Sequence, residues 1–434
     1  MKAIGIDIGT TSISIVVLDL VKKKVLASRC MDNDSFLRAE QEGQGIQDPT
    51  LIFKRTMDAL DEIIGNYPDF SAIGITGQMH GIVYIDGMRR FASPLYTWQD
   101  ESGNRPDAQG NTMVELVRQR YGIPVASGYG LITYLCHKRE GKVPANARYM
   151  CTIMDYIAMR LSGRPKPLMH VSNAASLGFY DVKEGLFQTK ILSELGVDLS
   201  LIPEVTSHFE VLGSFRGIPV YTAIGDNQAS FLGAVGTQEN SVLVNMGTGG
   251  QISVLSDTFF EAPGIEARPI YDGHYLLAGS SLCGGRAYAV VEHFFRTFAV
   301  YAGLPDIPQY DLMARILSSE KESSPLKIET TFKGTRFDPD KKGSIIGITE
   351  ENLTPVHLIR GTLEGMAQEL YDMYHQICEG TNLHCDRLYA SGNGLRKNPA
   401  LMEIFQKKFQ MPLLLAPFEE EAACGAAIST ILKG

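Results

Sequence analysis

The chain has 434 residues, with 49 acidic against 40 basic side chains and a formal charge of −9. That sign opposes non-specific attraction to nucleic acid or to an anionic membrane. At roughly 100–200 residues per domain the length implies two to four domains, and 44% hydrophobic residues fill their cores. Seven cysteines (Cys30, Cys136, Cys151, Cys283, Cys378, Cys385, Cys424) are scattered without a C-x-x-C pair. Neither a disulfide framework nor a zinc knuckle is indicated, and reduced thiols are expected. No run approaches the ~20 apolar residues that span a bilayer. The first residues enter an apolar strand without a charged leader, so the expected compartment is the cytoplasm.

In chain order, Ala3 to Asp7 and Ser12 to Asp19 are apolar and β-branched around Gly9-Thr10-Thr11, the pattern of a β-hairpin, and Val25 to Arg29 adds a third strand. Leu51 to Gly65 has helical periodicity, and Ala72 to Thr76 is a short strand ending at Gly77-Gln78-Met79-His80-Gly81. Ser241 to Met246, the turn Gly247-Thr248-Gly249-Gly250 and Gln251 to Leu255 repeat the opening grammar, so that Asp7-Ile8-Gly9-Thr10 aligns with Asn245-Met246-Gly247-Thr248. The chain therefore reads as two related halves. Pro305 to Lys342 is weakly patterned, and loops are expected there. Thr354-Pro355 is an N-cap and N1 pair opening a long helix. Arg387 to Ala390 is a strand running into Gly392-Asn393-Gly394, a helix follows over Pro399 to Phe409, and a last helix starts near Glu420. Its Ala422, Ala423, Gly425, Ala426 and Ala427 allow very close approach to a neighbour. Strands alternating with helices define an α/β protein.

Four constellations carry possible chemistry. Tight Gly-Thr turns either close hairpins or present backbone N–H groups as an anion-binding nest, and two of them would grip a polyphosphate such as that of ATP. No G-x-x-x-x-G-K-[ST] occurs, so a nucleotide site here is not a P-loop. Asp226, in Gly225-Asp226-Asn227-Gln228, is either the cap of a helix, as Asp most often is at such a place, or a base for a substrate hydroxyl. Gln78, Met79 and His80 with Trp98, Gln99 and Asp100 supply the hydrogen-bond partners and apolar plate that a polyol needs, or else surround a buried Trp. His80 has no second His or Cys at metal-ligand spacing. Ser391-Gly392-Asn393-Gly394 is an ordinary turn or a loop whose backbone approaches a flat adenine.

Taken in order along the whole chain, these stretches resemble the FGGY carbohydrate kinases of the actin-like ATPase superfamily. Gln78-Met79-His80-Gly81 is the form similar to ketose-specific members. Asp155-Tyr156, Arg164 to Met169 and Ser172 to Gly178 resemble members acting on sedoheptulose, with xylulose second. The resemblance implies an α/β fold of two actin-like (ribonuclease H-like) domains with a central cleft, residues 1–234 binding sugar and 235–434 binding nucleotide. It implies transfer of a phosphoryl group from ATP to the primary hydroxyl of a ketose, with Mg2+. Asp226 would be the catalytic base and a metal-side carboxylate, and Asp7 would organise Mg2+ through water. Gln78, Met79, His80, Trp98, Asp100 and Asn227 would contact sugar. Gly9, Thr10, Thr11, Ser12, Gly247, Thr248, Gly249, Gly284, Gly285, Gly392, Asn393, Gly394 and Asn398 would contact ATP. The chain departs from the family where an Arg is common two residues after the Asp of Trp-x-Asp, because Ser102 stands there and Arg105 is the nearest guanidinium. The implied partner is a small ketose, not nucleic acid or membrane, with a homodimer as the expected assembly. Alternatives are another polyol kinase of the same family, or a non-enzymatic nucleotide switch on the actin-like fold.

Overall fold

The computed structural model describes residues 1–319, 326–335 and 338–432. It divides into two compact units. The first is built from Met1–Gly236, Arg268–His274 and the segment from Pro417 onward, and the second from Thr237–Ala267 and Tyr275–Ala416. Two segments that sequence order alone assigns to the second half therefore fold with the first.

In the first unit the strands Lys2–Ile8 and Ser12–Asp19 form the expected antiparallel hairpin, with Lys24–Asp32 on its outer side and Phe70–Gly77 parallel to the first strand. Ile218–Tyr221 and Val211–Phe215 complete the row, and Ile224–Gly225 pairs with Phe70–Gly77. Ala3, Ile4, Gly5 and Ile6 are all buried, the near-continuous apolar run of a sheet covered on both faces. The period of two separates the faces. Ile4, Ile6 and Ile8 join Ile52, Leu60 and Ile63 of the helix Pro49–Asn66, whose N-terminus is capped by Asp48 through Thr50 N (2.8 Å) and Leu51 N (3.2 Å). Ala3 faces Ala423, Cys424 and Ala427 of the last helix, Glu421–Ser429.

That second face is made of glycine and alanine because backbone meets backbone there. A β-carbon on Gly5 would lie 1.8 Å from Ala423 O, on Gly74 1.8 Å from Ala426 O, and on Gly425 1.7 Å from Ala229 O in the helix Asp226–Val235. The same contact explains why the chain returns at its end to the unit in which it began.

The second unit repeats the plan. Ser241–Met246 and Gly250–Ser256 form an antiparallel hairpin, Arg387–Ser391 runs parallel to the first of them, and Leu413–Leu415 lies beyond it. The repeat extends to register, since Asp7 pairs with Thr76 and Asn245 pairs with Ser391. A Pro-initiated helix precedes each parallel strand, Pro49–Asn66 in one unit and Pro355–Thr381 in the other. Thr354 occupies the N-cap position as expected, but its Oγ1 pairs with His357 Nδ1 at 2.7 Å and makes no side-chain cap bond. The loop expectation over Pro305 to Lys342 fails for Tyr310–Ser319, a helix that buries Met313 against Phe295 and Ile359. Lys327–Glu329 of the same stretch is a strand, and residues 320–325 and 336–337 lie outside the described residues. Among the described residues no helix is long and apolar enough to cross a membrane.

Gly425→Ala should destabilise the protein by about 1–3 kcal/mol or more, because the new methyl meets a carbonyl of the neighbouring helix and not a movable side chain. Chemical denaturation checks this, and an unchanged midpoint would show that the helices have room to spare.

Candidate active site

In the first unit the turn Gly9–Thr11 is held by its carbonyls. Asn33 Nδ2 donates to Gly9 O (2.8 Å), Gln47 Nε2 to Thr10 O (2.8 Å) and Asn33 N to Thr11 O (2.8 Å). A trans peptide points its N–H opposite to its C=O, so the N–H groups of Thr10, Thr11 and Ser12 are turned away from the body of the unit. That is the polarity of an anion nest. Gln78 is 3% exposed and donates through Nε2 to Gln47 Oε1 (2.8 Å), so it braces the turn from behind.

Trp98 is 49% exposed, which excludes the buried-Trp alternative, and its Nε1 donates to Thr10 Oγ1 (3.0 Å). The indole thus presents an open apolar plate tied to the nest. His80 adopts a left-handed backbone (φ 71°), donates its N–H to Ser176 Oγ (3.1 Å) and directs Nδ1 at the Ser176 carbonyl (2.7 Å). Because a carbonyl only accepts, that nitrogen carries a proton, and the neutral ring has its lone pair on Nε2. The ring stacks on Tyr129 at 4.7 Å with an interplanar angle of 2°.

Asp226 is the first residue inside its helix. Gly225 occupies the N-cap position, with no side-chain cap bond, so the capping alternative fails. The Asp226 carboxylate instead accepts from Asn227 Nδ2 (3.1 Å), and Asn227 Nδ2 also lies 3.6 Å from Met79 Sδ. Asp226, Asn227 and Met79 are therefore brought together. Burial pushes the Asp226 carboxyl up to about 6, against the lowering effects of the Asn227 N–H and of the Arg268 guanidinium.

Asp100 does not join them. It is 1% exposed; Oδ1 accepts from Ser102 N (3.0 Å) and Ser102 Oγ, and Oδ2 from Gly45 N (3.4 Å). Ser102, the residue found where family members often carry Arg, is the one that holds Asp100 inward. Arg105 is engaged with Gln41, Glu42 O and Glu140.

Asp7 lies on the same face of its strand as Gly5, toward the start of the last helix, where Glu420 is the N-cap residue. Burial first, then the charges of Asp226 and Glu420, push its carboxyl up to about 7. Such a concentration of negative charge is the environment a divalent cation relieves. Among the described residues no three side chains converge as direct ligands, and the coupled carboxylates of Asp7, Asp226 and Glu420 are the groups that a cation in this place would meet. Glu420 and Arg268 were not anticipated. Glu420 had one available signal, a carboxylate at the head of a helix of small residues. Arg268 had none, because it reaches Asp226 only through the return of Arg268–His274 to this unit, where Pro269 O accepts from Gln228 Nε2 (3.0 Å) and Asp272 meets His208 Nδ1 (2.6 Å).

In the second unit the turn Gly247–Gly249 has the same construction. Gly247 O accepts from Gly285 N (2.9 Å) and Thr248 O from Arg286 N (3.0 Å), at the start of the helix Gly284–Tyr301. The Thr248 and Gly249 N–H groups therefore point away from that helix. Gly284 and Gly285 are brought to the turn, and a β-carbon on Gly284 would lie 2.2 Å from Gly249 C. Gly392 (φ 83°) and Gly394 pack against Met246 O at the same strand end, and Asn393 is exposed beside them. Asn398 instead caps the helix Pro399–Phe409, its Oδ1 accepting from Leu401 N (3.1 Å).

The two units share one plan, a hairpin with a parallel strand beside it and a glycine turn at the strand end, and this two-domain fold is that of sugar kinases. The N-terminal domain of the FGGY family of carbohydrate kinases matches residues 2–233 and the C-terminal domain matches residues 242–432. The chain belongs to that family and is a sugar phosphotransferase. It is 28% identical to the sedoheptulokinase of Mus musculus over 98% of this chain and 96% of that protein. It is 25% identical to the xylulose kinase of Staphylococcus xylosus over 98% and 89%. The fold matches a gluconate kinase from Lactobacillus acidophilus with a TM-score of 0.81, at 21% identity, over 99% of this chain and 88% of that one.

The folded protein holds the Asp7 proton more tightly than the unfolded chain, with a value of about 7 against an ordinary 3.8. The contribution of Asp7 to stability therefore falls as pH rises from about 4 to about 7 and is level above that. Asp7→Asn should raise the Tm of the ligand-free protein at pH 8 and leave it nearly unchanged at pH 4, as read by thermal denaturation across that range. A lower Tm at pH 8 would remove Asp7 from the charge cluster.

Proposed function

We propose that the protein transfers the γ-phosphoryl group of MgATP to the primary hydroxyl of a ketose, sedoheptulose ahead of xylulose, with Asp226 as the general base. The observation that carries this is the Asp226 carboxylate, released from capping and set beside Asn227 and Met79. The sedoheptulokinases, at 28% and 26% identity, stand only narrowly ahead of the xylulose kinase at 25%, an order that agrees with this ranking of acceptors. The outward N–H groups of the turns Gly9–Thr11 and Gly247–Gly249 bind phosphate oxygens. Gly392, Asn393 and Gly394 face the nucleotide base, Trp98, His80, Met79 and Asn227 shape the sugar side, and Gln78, expected there, instead braces the first turn from behind. Asp100 and Asn398, engaged within their own loops, are left out of these sets.

Asp226 orients the acceptor oxygen and takes its proton, and Arg268 opposes the rise in its pKa. Phosphoryl transfer passes through a loose transition state, so this chain's work is to position oxygens and to offset charge. Asp7, with Asp226 and Glu420 coupled to it, would hold Mg2+ through water, and the ion would neutralise charge developing on the phosphates.

Asp226→Ala should lower kcat by about 10²–10⁴ while leaving the ATP KM within a few-fold; a variant keeping most of its kcat would refute the assignment. In the wild type, kcat/KM for sugar should rise with pH and level off above about 6–7, because the free carboxylate is the active form. A coupled assay across sedoheptulose, xylulose, ribulose, fructose and glycerol tests the acceptor. Sedoheptulose should give the highest kcat/KM, and a panel led by glycerol would overturn the ketose reading.

A further inference from the structure

Three buried side chains of the short helix Val171–Ser176 reach the backbone that carries the proposed sugar-side residues. Ser172 Oγ accepts the Gly225 N–H at 2.9 Å, one residue before Asp226. Asn173 Nδ2 donates to Ala223 O at 3.1 Å, three residues before it, and its other hydrogen goes to Asp155 Oδ1 at 2.9 Å. The strand Ile224–Gly225 is thus clamped at both ends from one turn of helix. At the far end of that helix, Ser176 Oγ accepts the His80 N–H at 3.1 Å, and the Ser176 carbonyl receives His80 Nδ1 at 2.7 Å.

Each anchor is itself fixed. Ser172 N donates to His170 Nδ1 (3.3 Å), and Ser172 Oγ lies 2.8 Å from the same nitrogen. Burial pushes the His170 ring down to about 3, so the ring is neutral and Nδ1 serves as acceptor. The Ser172 O–H therefore donates to the ring, and the lone pairs of Oγ are left for Gly225. Asp155 is held by Thr152 Oγ1 at 2.7 Å, and Ser176 Oγ donates to Asn173 O at 2.7 Å. His170, Ser172 and Asn173 are each 0% exposed and Ser176 is 4% exposed, so water does not compete for these bonds.

We infer that Val171–Ser176 is a common jig for the sugar side. Ser172 and Asn173 are positioning residues that set the direction of the Asp226 carboxylate, and Ser176 is a positioning residue that sets the backbone and ring tautomer of His80. The inference rests on Asp226 as base and on His80 as a sugar contact. Its consequence is that two serines four residues apart on one helix act on different kinetic parameters. A base displaced by a fraction of an ångström slows the transfer step, whereas a displaced binding ring weakens the hold on sugar.

The test compares Ser172→Ala, Ser172→Cys and Ser176→Ala with Asp226→Ala in the full chain, measuring kcat, sugar KM, ATP KM and Tm. Cysteine keeps the shape of serine with a much weaker acceptor, so it reports on the hydrogen bond should the alanine variant fold poorly. Both Ser172 variants are expected to lose about tenfold or more in kcat with sugar and ATP KM within about threefold. Ser176→Ala is expected to raise sugar KM about tenfold with kcat within about threefold. If the serine variants lose activity only in proportion to unfolded protein, or both move the same parameter, the jig is overturned while the roles of Asp226 and His80 stand. If Asp226→Ala itself keeps its kcat, the base assignment falls and the Ser172 arm falls with it.

Discussion

A β-carbon anywhere on the seam formed by Gly5, Gly74, Gly233 and Gly425 would come within 2 Å of a backbone oxygen, and this crowding fixes the first unit. Glycine is costly in a strand or helix interior, so four of them along one surface signal a constraint stronger than secondary-structure propensity. The constraint is that the last helix must lie close to both the opening strands and the helix that begins at Asp226. Once it does, Glu420 at its head, Asp7 at the end of the first strand and Asp226 at the head of its own helix are drawn into electrostatic contact. The charge cluster is thus a consequence of backbone packing, and residues more than 400 positions apart become neighbours because a glycine stands at each of these points of closest approach.

The ligand-free protein bears the cost of that arrangement. Burial and like charges raise the Asp7 carboxyl to about 7, and burial raises Asp226 to about 6. Arg268 counters only part of this, and it is available because Arg268–His274 turns back to the first unit. A cation held through water would relieve the remainder, which is the general form in which sites store destabilisation that their ligands recover.

Much of this was legible in the sequence because the signals were local or repetitive. The two hairpins, the helix opened by Thr354-Pro355 and the helices over Leu51 to Gly65 and Pro399 to Phe409 follow from alternation, periodicity and capping chemistry, although the cap at Asp48 and the start at Pro49 were not read. The small residues after Glu420 announced close packing, although not the partner. What stayed hidden depended on non-local placement. An Asp at a helix start reads as a cap, and only the backbone at Gly225 shows that the cap position lies one residue earlier. Asp100 belongs to a polar loop in either reading, and only its bonds to Ser102 and Gly45 decide which way it faces. The helix Tyr310–Ser319 does carry an apolar stripe, Met313, Ile316 and Leu317, but it is short and set within a polar, weakly patterned stretch that obscures it.

The duplication also shows how one plan supports two kinds of binding. In both turns the carbonyls are pinned and the amides face outward, but the pins differ. Side chains of Asn33 and Gln47, with one backbone bond from Asn33, hold the first turn, whereas the backbone at the start of a helix holds the second. At matched register positions the first unit has Asp7 beside Thr76 and the second has Asn245 beside Ser391. A carboxylate at the first position suits a site that must attract a cation. On the proposed function a second carboxylate there would add to the charge facing the phosphates, and the neutral amide avoids that repulsion while keeping nearly the same shape. On the proposed function, then, a single exchange of carboxylate for carboxamide at the end of a repeated strand confines the cation-attracting charge to one of the two repeats.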